Sequence, residues 1–176
     1  MTKVKKYPAA VVFDLDYTVW PRYADWNVQP PLKAVGKNSI KDRSGSVFLV
    51  FDDVPAIFKE LKSAGIPMIA ASKTAAPHIA SKMLTLLHID GVPLIDFFDN
   101  IQWGTHTKKL HISRAAKALG LEKELNNGHF VLFDDEYHSN IDVTEIGCYF
   151  AHVDDSDYGL SQALFDRELR NWALQL

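Results

Sequence analysis

The stretch VVFDLDYTVW, residues 11–20, decides the predicted fold of this chain. Its apolar run ends at Phe13, and Asp14, Asp16 and Thr18 follow at alternate positions. A continuous apolar run that stops at polar residues is typical of a strand buried on both faces of a sheet. Open parallel sheets bind their ligands beyond the carboxyl ends of such strands. We therefore expect Asp14 and Asp16 to lie at the functional edge of a parallel sheet.

Outward from this stretch, short apolar runs alternate with helical periodicity. Further buried strands are predicted at residues 66–71, 130–133 and 148–151, with a less regular one near 97–103. Apolar residues spaced three to four apart predict helices around residues 57–64, 79–87, 112–119, 141–146 and 165–173. Strands separated by helices favour an α/β fold, in which helices cover both faces of a central parallel sheet.

Length and composition predict a single domain over residues 1–176. The net charge of −3 argues against partners such as nucleic acid or an anionic membrane surface. Apolar runs are far shorter than a membrane span, and the lone Cys148 excludes an internal disulfide. These features predict a cytoplasmic protein, with the nucleus as an alternative, and they leave the oligomeric state open.

One segment, residues 20–46, breaks the alternation of strands and helices. It contains Pro21, Pro30, Pro31, Gly36 and Gly45 and few periodic apolar residues. A connection this long predicts a functional loop or a small flap after the first strand. Its aromatic residues have two interpretations: they stack on an aryl group of a ligand, or they pack the flap onto the core. These residues are Trp20, Tyr23 and Trp26.

Polar residues with complementary chemistry follow the other predicted strands. Ser72 and Lys73 follow residues 66–71, Asp134 and Asp135 follow residues 130–133, and Lys108 and Lys109 stand at a helix start. Carboxylates gathered at one sheet edge repel each other unless a cation lies among them, and a site of oxygen ligands suits Mg²⁺. A metal ion with a lysine and a hydroxyl forms a receptor for a phosphoryl group.

Two other Asp pairs are interpreted as structural. Asp53 precedes Val54-Pro55 and an apolar periodic stretch, which predicts the N-cap of a helix. Asp154-Asp155 precedes Ser156-Asp157 and predicts a solvated turn.

The first motif, with Ser72, Lys108 and the FDD of residues 133–135 in that order, resembles the haloacid dehalogenase (HAD) superfamily. The closer similarity is to the magnesium-dependent phosphatase-1 family, from about residue 7 to residue 153. It rests on DLDYTVWP (14–21), the Pro30-Pro31 pair, KDRSG (41–45), DVPAIFKEL (53–61) and AASKT (70–74). The resemblance implies a three-layer Rossmann-like core with a minimal cap or none. It also implies Mg²⁺-dependent hydrolysis of aryl phosphates, including phosphotyrosine, and of sugar phosphates.

The resemblance also implies roles for the acids. Asp14 would be the nucleophile and a metal ligand, passing through an aspartyl-phosphate. Asp16 would be the general acid and base, and its backbone carbonyl would bind the metal. Asp134 would be the third metal anchor, with Asp135 beside it.

The remaining roles concern the phosphoryl group. Ser72 would hold one of its oxygens, helped by the backbone N–H groups of Leu15 and Asp16. Lys108 would neutralise its charge, with Lys109 as the alternative. The family usually has Arg where this chain has Lys73, and lysine lacks the planar fork that binds an anion at two points.

Two other functions share part of this pattern. A dehalogenase would attack carbon with a strand-end Asp, but it needs neither Mg²⁺ nor the acid at position 16. A signalling domain with a phosphorylatable Asp also combines acids, a hydroxyl and a lysine on a parallel sheet. In such a domain the acidic pair comes first along the chain, whereas here the pair comes late and the middle strand ends at Ser72.

Overall fold

The computed structural model describes residues 4–176. In chain order the strands are β1 (Ala10–Phe13), β2 (Lys33–Val35), β3 (Ser39–Lys41), β4 (Val47–Phe48), β5 (Met68–Ser72), β6 (His88–Ile89), β7 (Val92–Pro93), β8 (Asn100–Trp103), β9 (Phe130–Asp134) and β10 (Cys148–His152). The helices are α1 (Val54–Ser63), α2 (Pro77–Leu86), α3 (Lys108–Leu119), α4 (Glu122–Asn126), α5 (Tyr137–Asn140) and α6 (Gln162–Ala173). Two 3-10 helices cover Leu94–Phe97 and Ile141–Ile146.

The central sheet has five parallel strands in the order β10-β9-β1-β5-β8. The strand that decides the fold therefore lies in the middle, and its last residue, Phe13, pairs with Ala70 of β5 and Phe133 of β9. All five predicted strands are confirmed, although β5 begins at Met68 rather than at residue 66. This register brings the residues that follow β1 between the carboxyl ends of β5 and β9.

Alternate residues of the buried strands face two separate hydrophobic clusters. Val11 and Phe13 join the cluster that contains the apolar residues of α1, α2 and α6. Ala10 and Val12 join the other cluster, with the apolar residues of α3 and α4. The predicted three-layer arrangement is thus confirmed, because each face of the sheet is covered by its own helices.

The predicted flap is present and extends slightly beyond residue 46. Its strands β2, β3 and β4 form a small antiparallel sheet, called here the flap sheet. Ile40 and Phe48 are buried on its inner face, against the main core. The loop between β3 and β4 is held by the buried Asp42, whose carboxylate accepts from Ser44 N–H at 3.0 Å and Ser46 N–H at 3.2 Å. The KDRSG motif is therefore a structural turn of the flap.

The two structural Asp pairs have different outcomes. Asp155 lies in an exposed turn, as predicted, and accepts from the N–H groups of Asp157 and Tyr158 at 2.9 and 3.2 Å. Asp53 occupies the N-cap position of α1, but its side chain does not cap that helix. Its carboxylate instead accepts from Gln162 N–H at 2.9 Å, at the start of α6. The predicted N-cap position and structural role are confirmed, but the carboxylate makes a tertiary contact with α6 instead of capping α1.

Within residues 4–176, no helix combines the length and the apolar character that crossing a membrane requires.

Candidate active site

The carboxyl ends of β1, β5 and β9, called here the carboxyl edge, form a cleft of about 230 Å³. The side chains predicted for the site lie in this cleft, except those of Leu15, which is buried in the core, and of Lys109, the alternative to Lys108. The predicted residues that line it are Asp14, Asp16, Ser72, Lys73, Lys108, Asp134 and Asp135. The parallel topology explains the assembly, because it carries the end of each strand to the same side of the sheet.

Asp14 is the residue that directly follows β1. Its backbone N–H donates to the carbonyl of Phe133 at 3.0 Å, which continues the pairing with β9 by one residue. Its carboxylate accepts from Lys108 Nζ at 2.8 Å through Oδ1 and from Thr18 Oγ1 at 3.3 Å through Oδ2. Both oxygens are thus held by donors, and the carboxylate is fixed in one orientation at the floor of the cleft.

Lys108 is fully buried at the first turn of α3. Its Nζ donates to Asp14 Oδ1, lies 3.3 Å from Asp134 Oδ2 and also contacts the Ala71 carbonyl. Burial lowers the pKa of Lys108, but the carboxylates of Asp14 and Asp134 outweigh this effect, and its pKa is raised overall. The ammonium is therefore a permanent positive charge between two acids.

Lys109, the alternative phosphate-binding lysine, lies elsewhere. Its Nζ is 2.8 Å from Glu145 and 3.7 Å from Asp142. Adjacent helical positions face different directions, so the N-cap at Thr107, which fixes the start of α3, also decides which lysine enters the cleft. The structure places Lys108, and not Lys109, among the acids.

Three carboxylates could share a cation. Asp14, Asp134 and Asp135 each offer an oxygen within 4.8 Å of the others. Burial is the main reason that the pKa values of Asp134 and Asp135 are raised, and repulsion from Asp14 adds to it. A group of oxygen donors whose charges repel one another in a buried place fits Mg²⁺, which would relieve that repulsion. The carboxylate of Asp16 is not among these three.

Asp16 lies beside this group, and its side chain is held by the flap. Its Oδ1 accepts from Trp20 Nε1 at 2.8 Å and from Ala24 N–H at 3.2 Å. Tyr17 takes a left-handed conformation, with φ of 58°, that turns the chain back toward Asp16. Burial is the main reason that the pKa of Asp16 is raised to about 7. The hydrogen bond from Trp20 lowers this pKa, and repulsion from Asp14 raises it further. A carboxyl with this pKa exchanges protons readily near neutral pH.

The aromatic residues of the flap were predicted either to stack on a ligand or to pack the flap onto the core, and the structure shows a different answer for each residue. Trp20 is fully buried, so it packs the flap onto the core and cannot stack on a ligand. Tyr23 lines the cleft and packs edge-on against Tyr17, with ring centroids 4.5 Å apart. Trp26 is 80% exposed and lies 6.1 Å from the Tyr23 ring.

Ser72 and Lys73 form the β5 side of the cleft. Ser72 is buried, and its Oγ accepts from Thr74 N–H at 3.3 Å, which leaves the hydroxyl able to donate. Lys73 Nζ donates to Asn140 Oδ1 at 2.5 Å, and Asn140 Nδ2 donates to Asp134 Oδ2 at 3.0 Å. A chain of hydrogen bonds thus joins Lys73 to the acid group.

Sequence reasoning missed Asn140, Asp25, Thr74 and Glu136, which also line the cleft. Asn140 is buried on a single-turn helix, and no periodic signal distinguishes it from an exposed Asn. Asp25 belongs to the flap and accepts from Ala75 N–H at 3.2 Å. Asn140 and Asp25 reach the cleft through tertiary contacts, which spacing along the chain does not reveal. Thr74 and Glu136 instead lie two residues after the ends of β5 and β9, at the edge that the sequence indicates.

His111 lies behind the cleft, one turn after Lys108 on α3. It is fully buried, and neither of its ring nitrogens has a hydrogen-bond partner in the described part of the chain. Burial is the main reason that the pKa of His111 is lowered to about 4, and the positive charges of Lys108 and Lys73 add to it. The imidazole is therefore neutral at physiological pH.

Two solved structures share this fold. A HAD-superfamily hydrolase from Ehrlichia chaffeensis superposes with a TM-score of 0.60 at 18% identity, covering 97% of this chain and 98% of that one. The N-terminal part of a Bacteroides fragilis protein, containing a phosphatase domain and complexed with Mg, gives a TM-score of 0.62 at 18% identity. It covers 93% of this chain and 40% of that one. Both likenesses show a shared fold.

Sequence relatives narrow the assignment. A putative magnesium-dependent phosphatase of Saccharomyces cerevisiae is 36% identical over 168 residues, 90% of this chain and 94% of that protein. The Homo sapiens magnesium-dependent phosphatase 1 is 30% identical over 148 residues, 84% of this chain and 79% of that protein. The profile of the family described as acid phosphatase matches residues 6–175. A HAD-like hydrolase superfamily protein of Schizosaccharomyces pombe is 34% identical over 157 residues, 85% of this chain and 88% of that protein. The chain therefore belongs to this acid phosphatase family, within the HAD superfamily and together with the magnesium-dependent phosphatases.

Proposed function

We propose that this protein is a Mg²⁺-dependent phosphatase that hydrolyses phosphate monoesters through an aspartyl-phosphate on Asp14. The observation that carries the proposal is the group of three carboxylates around Asp14, with Lys108 Nζ 2.8 Å from Asp14 Oδ1. Family membership and magnesium-dependent relatives at 30% and 36% identity support it.

Asp14, Asp134 and Asp135 would hold the metal through their carboxylates, with the backbone carbonyl of Asp16 as a further ligand. Bound Mg²⁺ would neutralise part of the acid charge and polarise the phosphoryl oxygens. Asp134 is prepared for this role, because Glu136 N–H and Asn140 Nδ2 hold its two oxygens at 2.8 and 3.0 Å.

The chemical steps use Asp14 and Asp16. A carboxylate oxygen of Asp14 attacks phosphorus, the bond between phosphorus and the leaving oxygen breaks, and Asp16 gives its proton to that oxygen. Asp16 then accepts a proton from water, whose oxygen attacks the phosphorus of the aspartyl-phosphate. Inorganic phosphate leaves and the Asp14 carboxylate is restored. The pKa of about 7 at Asp16 suits both directions of proton transfer.

The phosphoryl oxygens would be held by donors that face the cleft. Within the described chain, the N–H groups of Leu15 and Asp16 donate to no backbone carbonyl, so they remain available. The hydroxyl of Ser72 and the ammonium groups of Lys108 and Lys73 complete the set. Fixed donors around a phosphoryl group stabilise the charge that develops during transfer.

For the substrate class, we propose aryl phosphates, including phosphotyrosine, and in second place sugar phosphates. Tyr23 at the mouth of the cleft supports this choice, because its edge-on contact with Tyr17 holds its ring in place beside the phosphoryl site. An aromatic leaving group would gain a stacking contact there, whereas a phosphoserine side chain would not.

The test measures phosphate release from p-nitrophenyl phosphate, glucose 6-phosphate and two peptides that differ only in phosphotyrosine or phosphoserine. We expect release that requires Mg²⁺, stops with EDTA and is fastest on the aryl substrates. Tyr23→Leu should raise KM for the aryl substrates, while the matched control Tyr158→Leu, at an exposed turn, should not. Activity that persists in EDTA would refute the metal dependence. Equal rates on the two peptides would refute the aryl preference.

The aspartyl-phosphate is tested by mass spectrometry after rapid acid quench. Asp16→Asn should accumulate one phosphoryl group on the peptide that contains Asp14, because the second step lacks its base. Wild-type protein should release phosphate before the adduct accumulates. A long-lived adduct on the wild-type protein would instead indicate a signalling domain that stores the phosphoryl group.

A further inference from the structure

The flap sheet presents an outer face with two opposed lysines. Lys33 of β2 pairs directly with Lys41 of β3, and Lys41 pairs with Val47 of β4. Directly paired residues share a face, so these three form one row across the flap sheet. Val35, two residues after Lys33, belongs to the same face. The lysines are exposed, and Val35 and Val47 are 40% and 52% exposed. This outer face is therefore cationic with apolar side chains between the charges.

The charges of this region are not balanced locally. Residues 26–51 carry a net charge of +3 in a chain whose net charge is −3. The exposed cations are Lys33, Lys37, Lys41 and Arg43. None of them forms an ion pair with a carboxylate within residues 4–176. Asp42, the one acid of the stretch, is buried and its carboxylate is occupied by the turn.

A purely structural purpose does not account for this arrangement. Like charges directly opposite on neighbouring strands destabilise a sheet. Lysine on an edge strand prevents unwanted pairing with other strands, which explains Lys33 on β2. It does not explain Lys41, because β3 is the middle strand and both of its edges are paired. A surface built for solubility mixes both signs of charge, whereas this one has a single sign.

We propose that the outer face of the flap sheet binds an acidic, extended polypeptide segment that also carries apolar side chains. Carboxylates of the segment would pair with Lys33 and Lys41, and its apolar side chains would cover Val35 and Val47. Three strands spaced about 4.8 Å apart give a face wide enough for one extended segment.

Charge distribution favours a short acidic peptide over other anions. A nucleic acid or a membrane surface extends well beyond the flap sheet and would meet the rest of the chain, which is more acidic than the net charge of −3. A peptide segment covers the flap sheet alone. The proposal concerns a surface outside the cleft and does not depend on the phosphatase reaction.

The test uses a fluorescent peptide of repeating Glu-Glu-Val-Val, which places both Glu and Val on each side of an extended chain, with a Lys-Lys-Val-Val peptide as its charge control; they are called here the Glu-Val and Lys-Val peptides. We expect fluorescence anisotropy to report binding of the Glu-Val peptide alone, and the binding to weaken as salt is raised to about 0.5 M. Lys33→Gln with Lys41→Gln should weaken it about tenfold or more, since two charge contacts are lost. The matched pair Lys117→Gln with Lys123→Gln, two exposed lysines on the helical side, should bind as the wild type does.

Lys37→Glu, at the turn between β2 and β3, provides a second variant that leaves the strand residues intact and should also weaken binding. Hydrolysis of p-nitrophenyl phosphate should be the same in all these variants, which separates this proposal from the proposed activity. Absence of Glu-Val binding would overturn the proposal, and so would equal losses in the two double variants. Tighter binding of duplex DNA or of anionic vesicles through Lys33 and Lys41 would also overturn it.

Discussion

The carboxyl edge and the outer face of the flap sheet both gather charges of one sign, and they differ in burial. At the carboxyl edge the acids are buried, and Lys108 lies between two of them at 2.8 and 3.3 Å. On the flap sheet, Lys33 and Lys41 face each other in water, and no ion pair joins either of them to a carboxylate of residues 4–176. Water and salt screen an exposed repulsion, whereas a buried one must be met by an opposite charge. The carboxyl edge therefore needs positive charge among its carboxylates. The outer face of the flap sheet can keep its excess of positive charge because solvent screens it.

The largest expected effect comes from removing the central acid of the edge. Asp14→Asn keeps the shape of the side chain but removes the attacking charge, so kcat on p-nitrophenyl phosphate should fall on the order of 10³-fold or more. Asp157→Asn, at an exposed turn, is the control and should leave kcat unchanged. An Asp14→Asn variant that retained most of the activity would contradict the nucleophile assignment.

The next effect separates two adjacent lysines on α3. Lys108→Met leaves buried carboxylates unpaired, so it should lower the free energy of unfolding by about 3–5 kcal/mol and kcat/KM by about 10²-fold. Lys109→Met removes a solvent-exposed pairing with Glu145 and should leave the free energy of unfolding nearly unchanged. Urea unfolding and steady-state kinetics measure both. Similar losses of stability and of kcat/KM in the two variants would contradict the prediction that the buried Lys108 is more important than the exposed Lys109.

Metal binding should stabilise the edge independently of catalysis. Mg²⁺ at about 100 times its dissociation constant should stabilise the wild type by about 3 kcal/mol, because the ion binds the folded chain alone. Asp134→Asn should lose most of this gain in a thermal-shift measurement, with NaCl of equal ionic strength as the control. The Lys33→Gln, Lys41→Gln variant should keep the full gain. A gain that survived in Asp134→Asn would place the ion elsewhere.

His111 is buried near the carboxyl edge, as the acids are, but it needs no counter-charge because it is neutral. Its neutral form avoids repulsion from the ammonium of Lys108. Its pKa is lowered to about 4, so the unfolded chain takes up the proton first as pH falls below about 6.5. The contribution of His111 to stability should therefore decrease on acidification, on the order of 1 kcal/mol between pH 7 and pH 5.5. The carboxyl of Asp16, whose pKa is raised to about 7, contributes in the opposite direction, so the difference between the wild type and the His111 variant is what reports on His111. His111→Leu should lose this component and be at least as stable at pH 5.5, since it also removes two unpartnered nitrogens. A variant with the wild-type pH dependence would rule out His111 as its source.

The smallest effect concerns Lys33 and Lys41, the lysines that face each other across β2 and β3 of the flap sheet. Lys33→Gln with Lys41→Gln should raise the free energy of unfolding by a few tenths of a kcal/mol, roughly the size of one cross-strand repulsion. The gain should appear at low salt and vanish at high salt, because the repulsion is exposed. Urea titrations at two salt concentrations measure it. A gain that did not change with salt would point to strand propensity instead of charge.

Much of the fold and part of the site follow from local rules. A buried parallel strand ends where its apolar run ends, which located Asp14, Ser72 and Asp134 on one edge. Contacts between distant segments escaped these rules: Trp20 was as plausible a stacking ring as a core residue, and Asp53 reaches α6 instead of capping its own helix. The same limit concealed Asn140, whose importance depends on how one helical turn packs against Asp134. Periodicity describes which face is buried, and it does not describe which polar atoms meet there.

The central position of β1 has a consequence for how the protein is made. β1 is the first strand of the sheet to be synthesised, yet its two neighbours, β5 and β9, come much later along the chain. Lys108 is 94 residues from Asp14, and β9 follows later still. At ribosomal rates of roughly 5–20 residues per second, the first strand waits several seconds with both edges open. The acids and Lys108 can therefore come together only after β9 has been synthesised, so the site forms late even though its central residue is made early.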